Sequence, residues 1–224
     1  FSLSHKVAVS YYPSYVEEEA IHAVDETIPV KAITAYVYEE FLQNLNKDFA
    51  KREGLLFVGG FAHPPNADAV LWFAKEVFPK IREQIKVNFY IVGSKVTDEI
   101  KALEQPGNGI IVKGFVSEEE LADLYRNCRI VVVPLRYGAG VKGKVVEAIY
   151  NGAPIVTTSV GSEGIPDVEK VLLVKDQPDE FAETVVELYK DEKRLEDLAE
   201  KTQVYIREHF SIDAAWDVIK EDFE

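Results

Sequence analysis

The chain has 224 residues, 47% of them hydrophobic and 11% aromatic, with a formal net charge of -14 and a pI near 4.8. That length buries one full core plus an appendage, and the acidity argues against a nucleic-acid partner, because phosphate-backbone binding needs a broad basic surface. A single cysteine, Cys128, rules out an internal disulfide framework, and four scattered histidines without ligand spacing argue against a metal centre.

No apolar run approaches the roughly 18 residues that a transmembrane helix needs, and no signal peptide is visible. The expectation is a cytoplasmic protein. The chain starts at Phe1 and contains no methionine, so it reads as a piece of something longer.

Residues 1–53 predict a strand over 6–10, a helix over 16–24, a strand over 30–36 and a polar run over 39–52. That is one βα unit and a linker, too little for an independent core. From Gly54 onward, short apolar runs alternate with helical patterns, the mark of a parallel sheet wrapped by helices. Strands are predicted at 55–58, 87–92, 110–112, 130–133, 154–157 and 171–174. They are β-branched and do not alternate, as expected of strands covered on both faces.

Between them, a helix over 66–78 starts with Asn66 as its N-cap and carries Ala69, Val70, Phe73 and Val77 on one face. A shorter helix covers 97–104. Ser117 and Glu120 form a capping box that opens a helix to Tyr125. The next helix, 143–151, ends at Gly152 as a C-cap, and amphipathic helices over 178–190, 192–209 and 211–223 close the chain. Cys128 precedes an apolar run, which makes it a buried thiol rather than a nucleophile.

The most informative stretch is PLRYGAGVKGKVVEAIYNGAPIVTT, from Pro134 to Thr158. From Leu124 to Val146 there are five cations (Arg126, Arg129, Arg136, Lys142, Lys144) and no acid. A cationic pocket on an acidic protein suggests a small anion, and glycines beside a helix start suggest that the anion is a phosphate. Gly138, Gly140 and Gly143 match a dinucleotide fingerprint literally, with Glu163 about 20 residues on as a ribose-binding acid. Against an NAD-dependent oxidoreductase stand the long spacer Pro134–Tyr137, the late position in the domain, and the two lysines crowding the turn.

The other reading divides the work. Gly138 and Gly140 let backbone approach phosphate oxygens, and amides at the helix start add positive potential. Lys142 and Lys144 neutralise a leaving diphosphate. Glu147, three residues after Lys144 on the same helix face, accepts hydrogen bonds from the vicinal hydroxyls of a ribose. The bland alternative has Glu147 complementing the helix dipole beside solvated lysines.

The run GAGVKGKVVEAIYNGAPIVTTSVGSEGI resembles the donor-site signature of family 4-like glycosyltransferases (glycosyl transferases group 1), enzymes of the GT-B fold. LLFVGGFAHPPNADAVLWF resembles the first strand, phosphate-facing loop and helix of their C-terminal domain, and VKGFVSEEELADLYRNCRIVVVP the stretch that holds the nucleotide base. The resemblance implies an α/β fold, a Rossmann-like parallel sheet with helices on both faces, forming residues 54–224. Residues 1–53 would be the end of an N-terminal acceptor domain plus the interdomain linker, and the last helix, with Trp216, would pack back across the junction.

By position, the resemblance places Glu147 on the ribose, Phe115 and Val116 on the base, and Gly59 and Gly60 on the diphosphate. Ala139 replaces the first glutamate of the family's Glu-x7-Glu pair, which touches the donor sugar. The family's arginine and lysine after the first strand are also missing, leaving Lys142, Lys144 and, more weakly, His63 to supply cations. The implied reaction moves a sugar from a nucleoside-diphosphate sugar such as a UDP- or GDP-sugar to a saccharide or lipid-linked acceptor, retaining and metal-independent, with no cofactor. The longer enzyme would be cytoplasmic or peripheral at the membrane. An oxidoreductase domain and a non-catalytic partner-binding module that has lost its donor site remain open alternatives.

Overall fold

The computed structural model describes residues 7–223 and contains two parallel sheets. The smaller is β1 (Ser10–Tyr12) and β2 (Val30–Ala32), joined by α1 (Tyr15–His22). The expected strand over 6–10 starts outside the described residues at Lys6, and the observed one lies later along the chain.

The larger sheet is built from β3 (Leu55–Val58), β4 (Phe89–Val92), β5 (Ile110–Gly114), β6 (Ile130–Val133), β7 (Ile155–Thr157) and β8 (Leu172–Val174). All its pairings are parallel, in the spatial order β5-β4-β3-β6-β7-β8. Every side chain of β6 and β7 is buried, because helices cover both faces and no strand position is left to water. The chain winds outward from β3 to β5, then returns past β3 to begin β6. That reversal leaves a crevice at the carboxyl ends of β3 and β6, where successive connections depart to opposite faces.

The helices are α2 (Pro64–Trp72), α3 (Phe78–Arg82), α4 (Asp98–Lys101), α5 (Glu118–Asn127), α6 (Gly143–Tyr150), α7 (Ser159–Ser162), α8 (Pro178–Lys190), α9 (Glu192–Phe210) and α10 (Ile212–Ile219). The helix expected from Asn66 begins two residues earlier, with His63 at the N-cap. It runs through a π-helical stretch, Phe73–Val77, into α3. Pro79 has no N–H to give back along the ladder, and the wider turn absorbs the break. In α5, Ser117 caps the Glu120 amide at 3.1 Å, while the Glu120 carboxylate takes the Lys113 ammonium at 2.7 Å instead of closing the box. Gly152, at φ +66, ends α6. Its amide donates to Ile149 O and that of Ala153 to Ala148 O, both at 3.0 Å, so the last carbonyls of α6 are satisfied.

Residues 33–53 lie along the larger body. Phe49 is 1% exposed, and the buried Arg52 guanidinium donates to Tyr125 O and Cys128 O at the end of α5. Burial lowers that guanidinium to about 10. Tyr38 donates its amide to Phe210 O at 2.8 Å and stacks on Tyr150 of α6, centroids 4.2 Å apart. The small β1–β2 sheet reaches the chain's end through Asp222, which accepts from Tyr11 at 2.6 Å and Lys31 at 2.7 Å. Trp216 on α10 remains half exposed at 53%. Burial pushes the Cys128 thiol up to about 12, so it is inert as expected.

Candidate functional site

The crevice is lined by three turns. After β3, Gly59 donates its amide to Val92 O at 2.9 Å, and Phe61 donates to Ser94 O at 2.9 Å. These bonds draw the β3 and β4 turns together so closely that a Cβ on Gly93, at φ +155, would lie 1.9 Å from the Gly59 carbonyl oxygen. The third turn follows β6: Gly138 and Ala139 are exposed, Gly138 and Gly140 have φ of +123 and +77, and a Cβ on Gly140 would meet open space. Backbone at these two positions is open to a ligand, and their conformations favour glycine.

Lys144 bridges the crevice. From the first turn of α6 its ammonium donates to Asn66 Oδ1 in α2, and its Cε would lie 3.2 Å from a Cβ on Gly59. Asn66 Nδ2 in turn donates to Gly60 O at 2.7 Å. Asn66, expected to cap a helix, therefore links the glycine pair to the lysine. No sequence signal marks that role, since a residue in a helix's first turn gives no hint of what lies across a sheet. Burial first, and Lys142 second, depress the Lys144 ammonium from the ordinary 10.5 to about 8.

Lys142 is placed differently. Its side chain is 10% exposed, and its ammonium meets Glu163 at 3.0 Å and also the Gly140 carbonyl. Glu163, the acid that a dinucleotide reading assigns to a ribose, is thus the counter-ion of Lys142.

The expected pocket of five cations does not assemble. Arg126 pairs with Asp123, one residue outside the acid-free window. Arg129 is buried against Phe49 O and Arg52 O, with Glu192 at 3.4 Å. It precedes β6, at the opposite edge of the sheet from the crevice. Arg136 is held by Asp68 and lies 5.9 Å from the centroid of the Trp72 ring. Only Lys142 and Lys144 reach the crevice, because strand and helix geometry spreads a continuous stretch of sequence over both ends of the sheet.

Glu147 lies one turn beyond Lys144, among aromatic groups from two other elements. Burial raises its carboxyl above the ordinary value, and the Tyr125 hydroxyl partly opposes that rise. Phe115 is 82% exposed just after β5, with Val116 half-buried beside it. His63 is exposed at the start of α2. From β5 to β6 is three strand spacings, about 14 Å, so Phe115, Gly59–Gly60 and Lys144 lie along one edge of the sheet at the length of an extended nucleotide.

Two residues at this edge escaped sequence reading. The Tyr36 hydroxyl lies 2.8 Å from where a Cβ of Gly143 would stand, and Tyr38 stacks over α6. Tyr36 ends the strand expected over 30–36, which stops at Ala32, and Tyr38 lies just before the polar run; neither belongs to a local motif. Among the described residues no three His, Cys, Asp or Glu side chains converge as a metal site, and no helix is long and apolar enough to cross a membrane.

The chain belongs to the glycosyl transferases group 1 family, whose model matches residues 52–191, more than half of its length. It is 29% identical over 184 residues to an uncharacterized 44.6 kDa protein in the cps region of Klebsiella pneumoniae, a match covering 78% of this chain and 45% of that protein. Its fold is similar to that of S. aureus TarM, crystallised as a mutant with fondaparinux, α-GlcNAc-glycerol and UDP. There the TM-score is 0.77 at 14% identity, over 99% of this chain and 45% of that one. Anabaena Alr3699/HepE, crystallised with UDP and glucose, gives 0.71 at 15% identity, over 99% and 64%. The sheet is therefore the Rossmann-like sheet of a GT-B glycosyltransferase domain, and the chain spans about half the length of the curated relative it matches.

Proposed function

We propose that this chain is the donor-binding half of a retaining, metal-independent hexosyltransferase that uses a nucleoside-diphosphate sugar. The observation that carries the reading is Lys144, a half-buried ammonium brought across the switch-point crevice to the Gly59–Gly60 turn. A buried cation without a carboxylate partner is costly unless an anion completes it, and the open glycine turns beside it suit a diphosphate.

The remaining roles follow the edge of the sheet. Phe115 and Val116 hold the base, and Glu147 takes the ribose hydroxyls. Gly138, Ala139 and Gly140 border the sugar, with His63 at the rim. Lys142, tethered by Glu163, shapes the glycine turn and adds weaker positive potential. UDP is the first nucleotide to test, because several solved relatives were crystallised with it.

In transfer, the bond between the anomeric carbon and the diphosphate oxygen breaks and its electron pair leaves with the phosphate. Lys144 and the α6 amides stabilise that growing charge. The acceptor hydroxyl attacks from the same face, and its proton passes to the departing phosphate oxygen. We place the acceptor, a saccharide or a lipid-linked one, on the N-terminal domain of a longer enzyme, with residues 1–53 as that domain's end and linker. The pathway is polysaccharide biosynthesis.

The test is calorimetric titration with UDP, GDP, NADH and the bare nucleosides. Binding of a nucleoside diphosphate well above its nucleoside supports the reading. Preference for NADH, or no binding at all, overturns it in favour of an oxidoreductase domain or a non-catalytic module.

A further inference from the structure

Tyr125 is 1% exposed in the middle of the core, yet its hydroxyl makes no hydrogen bond of ordinary geometry. Orphaned buried hydroxyls are rare in folded proteins and call for an explanation. The acid coupled most strongly to this phenol is Glu147, reaching in from the neighbouring helix. The same phenol in turn favours the charged form of the Glu147 carboxylate, against the burial that disfavours it.

A second phenol approaches from another direction. Tyr38 is fixed by its amide bond to Phe210 O, by its bridge to Ser211 and by stacking on Tyr150 at an interplanar angle of 14°. Tyr150 is three residues after Glu147 on α6, so that stack sets Tyr38 beside the same carboxylate. The Tyr38 phenol is pushed up to about 12, by burial first and by the Glu147 charge second. From α9, the neutral Gln203 amide donates to Ile149 O and Tyr150 O. On α6 itself Lys144 is turned toward Asn66.

We propose that Tyr125 and Tyr38 are positioning residues for Glu147: their phenols grip its carboxylate from α5 and from the linker and hold it, ionised, toward the ribose hydroxyls. This rests on the ribose reading of Glu147 given above. A buried carboxylate can accept two ribose hydroxyls only when charged, and phenol donors offset the burial that disfavours that charge. The device also makes donor affinity depend on the linker, since Tyr38 lies outside the segment 52–191 that defines the family.

The test is UDP and GDP calorimetry from acidic to mildly alkaline pH on the whole chain. It compares the parent with Tyr125→Phe, Tyr38→Phe, Glu147→Gln and the double variant Y125F/E147Q, each with its melting temperature. Y125F is expected to bind about tenfold more weakly, the order for one hydrogen bond to a charged group. Its acid limb should move to higher pH, because Glu147 loses the donor that favours its ionised form. Its melting temperature should fall by a few degrees at most, since the buried ring stays and only the hydroxyl is removed. Y38F should behave alike, and Y125F should cost nothing further in the E147Q background.

Additive losses in the double variant, or weaker binding with an unmoved acid limb, overturn the positioning role while Glu147 keeps its own. If E147Q binds like the parent, or the parent binds neither nucleotide, the ribose reading falls and this inference falls with it.

Discussion

Replacing Lys144 with methionine should make the protein more stable and a poorer nucleotide binder at the same time. The side chain keeps its length and loses its charge. Lys144 falls from the ordinary 10.5 to about 8, and at about 1.4 kcal/mol per pH unit the folded state disfavours the charged form by roughly 3 kcal/mol. Part of that gain is lost because Asn66 Oδ1 gives up its donor, a cost of about 1 kcal/mol. The net expectation near neutral pH is about 1–2 kcal/mol of added stability, a rise of roughly 2–8 °C in Tm for a chain this long.

The sign reverses the usual behaviour of a paired lysine. Between about 8 and 10.5 the unfolded chain still holds a proton that folded Lys144 has released. Parent stability from this group therefore rises with pH across that window, and the advantage of Lys144→Met shrinks there. Denaturant unfolding at neutral pH and at about pH 10 measures both, with the parent's m-value as a control. UDP affinity of the variant should drop on the order of 10–100-fold, while binding of the bare nucleoside barely changes. A variant less stable at neutral pH, or an advantage that does not shrink with pH, would refute the picture of an uncompensated ammonium awaiting its anion.

Gly93→Ala should destabilise the chain and abolish diphosphate binding together, since its Cβ would collide with Gly59 O at 1.9 Å; circular dichroism melts and UDP titration read both, and a neutral result would dismiss the tight approach of the two turns. Glu163→Ala frees the Lys142 ammonium, and diphosphate affinity should rise a few-fold at low salt and return toward the parent's at high salt. Ala139→Glu should raise affinity for UDP-sugars over UDP itself if that exposed position borders the sugar, and an unchanged ratio would move the sugar subsite elsewhere. In a radiolabelled-donor assay with saccharide and lipid acceptors, the chain alone should bind donor yet transfer almost nothing, because losing acceptor positioning can forfeit roughly 7–11 kcal/mol of barrier reduction. Turnover at ordinary enzyme rates would place the acceptor site within these residues.

Much of the sheet was legible in the sequence, because a strand buried on both faces must be a short run of β-branched residues and each crossover helix must be amphipathic. β3 and β6 match their expected bounds, and the other strands of the larger sheet differ at their ends by one or two residues. The Gly152 helix stop is as expected because a left-handed C-cap is a local demand of the backbone. The glycine-rich turn and its two lysines were visible for the same reason: residues close in sequence on one turn must be close in space.

What depends on the order of strands was not legible. The sequence of elements is equally compatible with several sheets, and only the arrangement β5-β4-β3-β6-β7-β8 opens a crevice between β3 and β6. That order gives Lys142 to Glu163 and sets Lys144 against Asn66 some 78 positions away in the chain. Tertiary packing also lays Tyr36 and Tyr38, from the stretch after β2, onto α6. Local patterns fix which residues lie on one helix face, but contacts across the sheet are set by packing, which no single segment encodes.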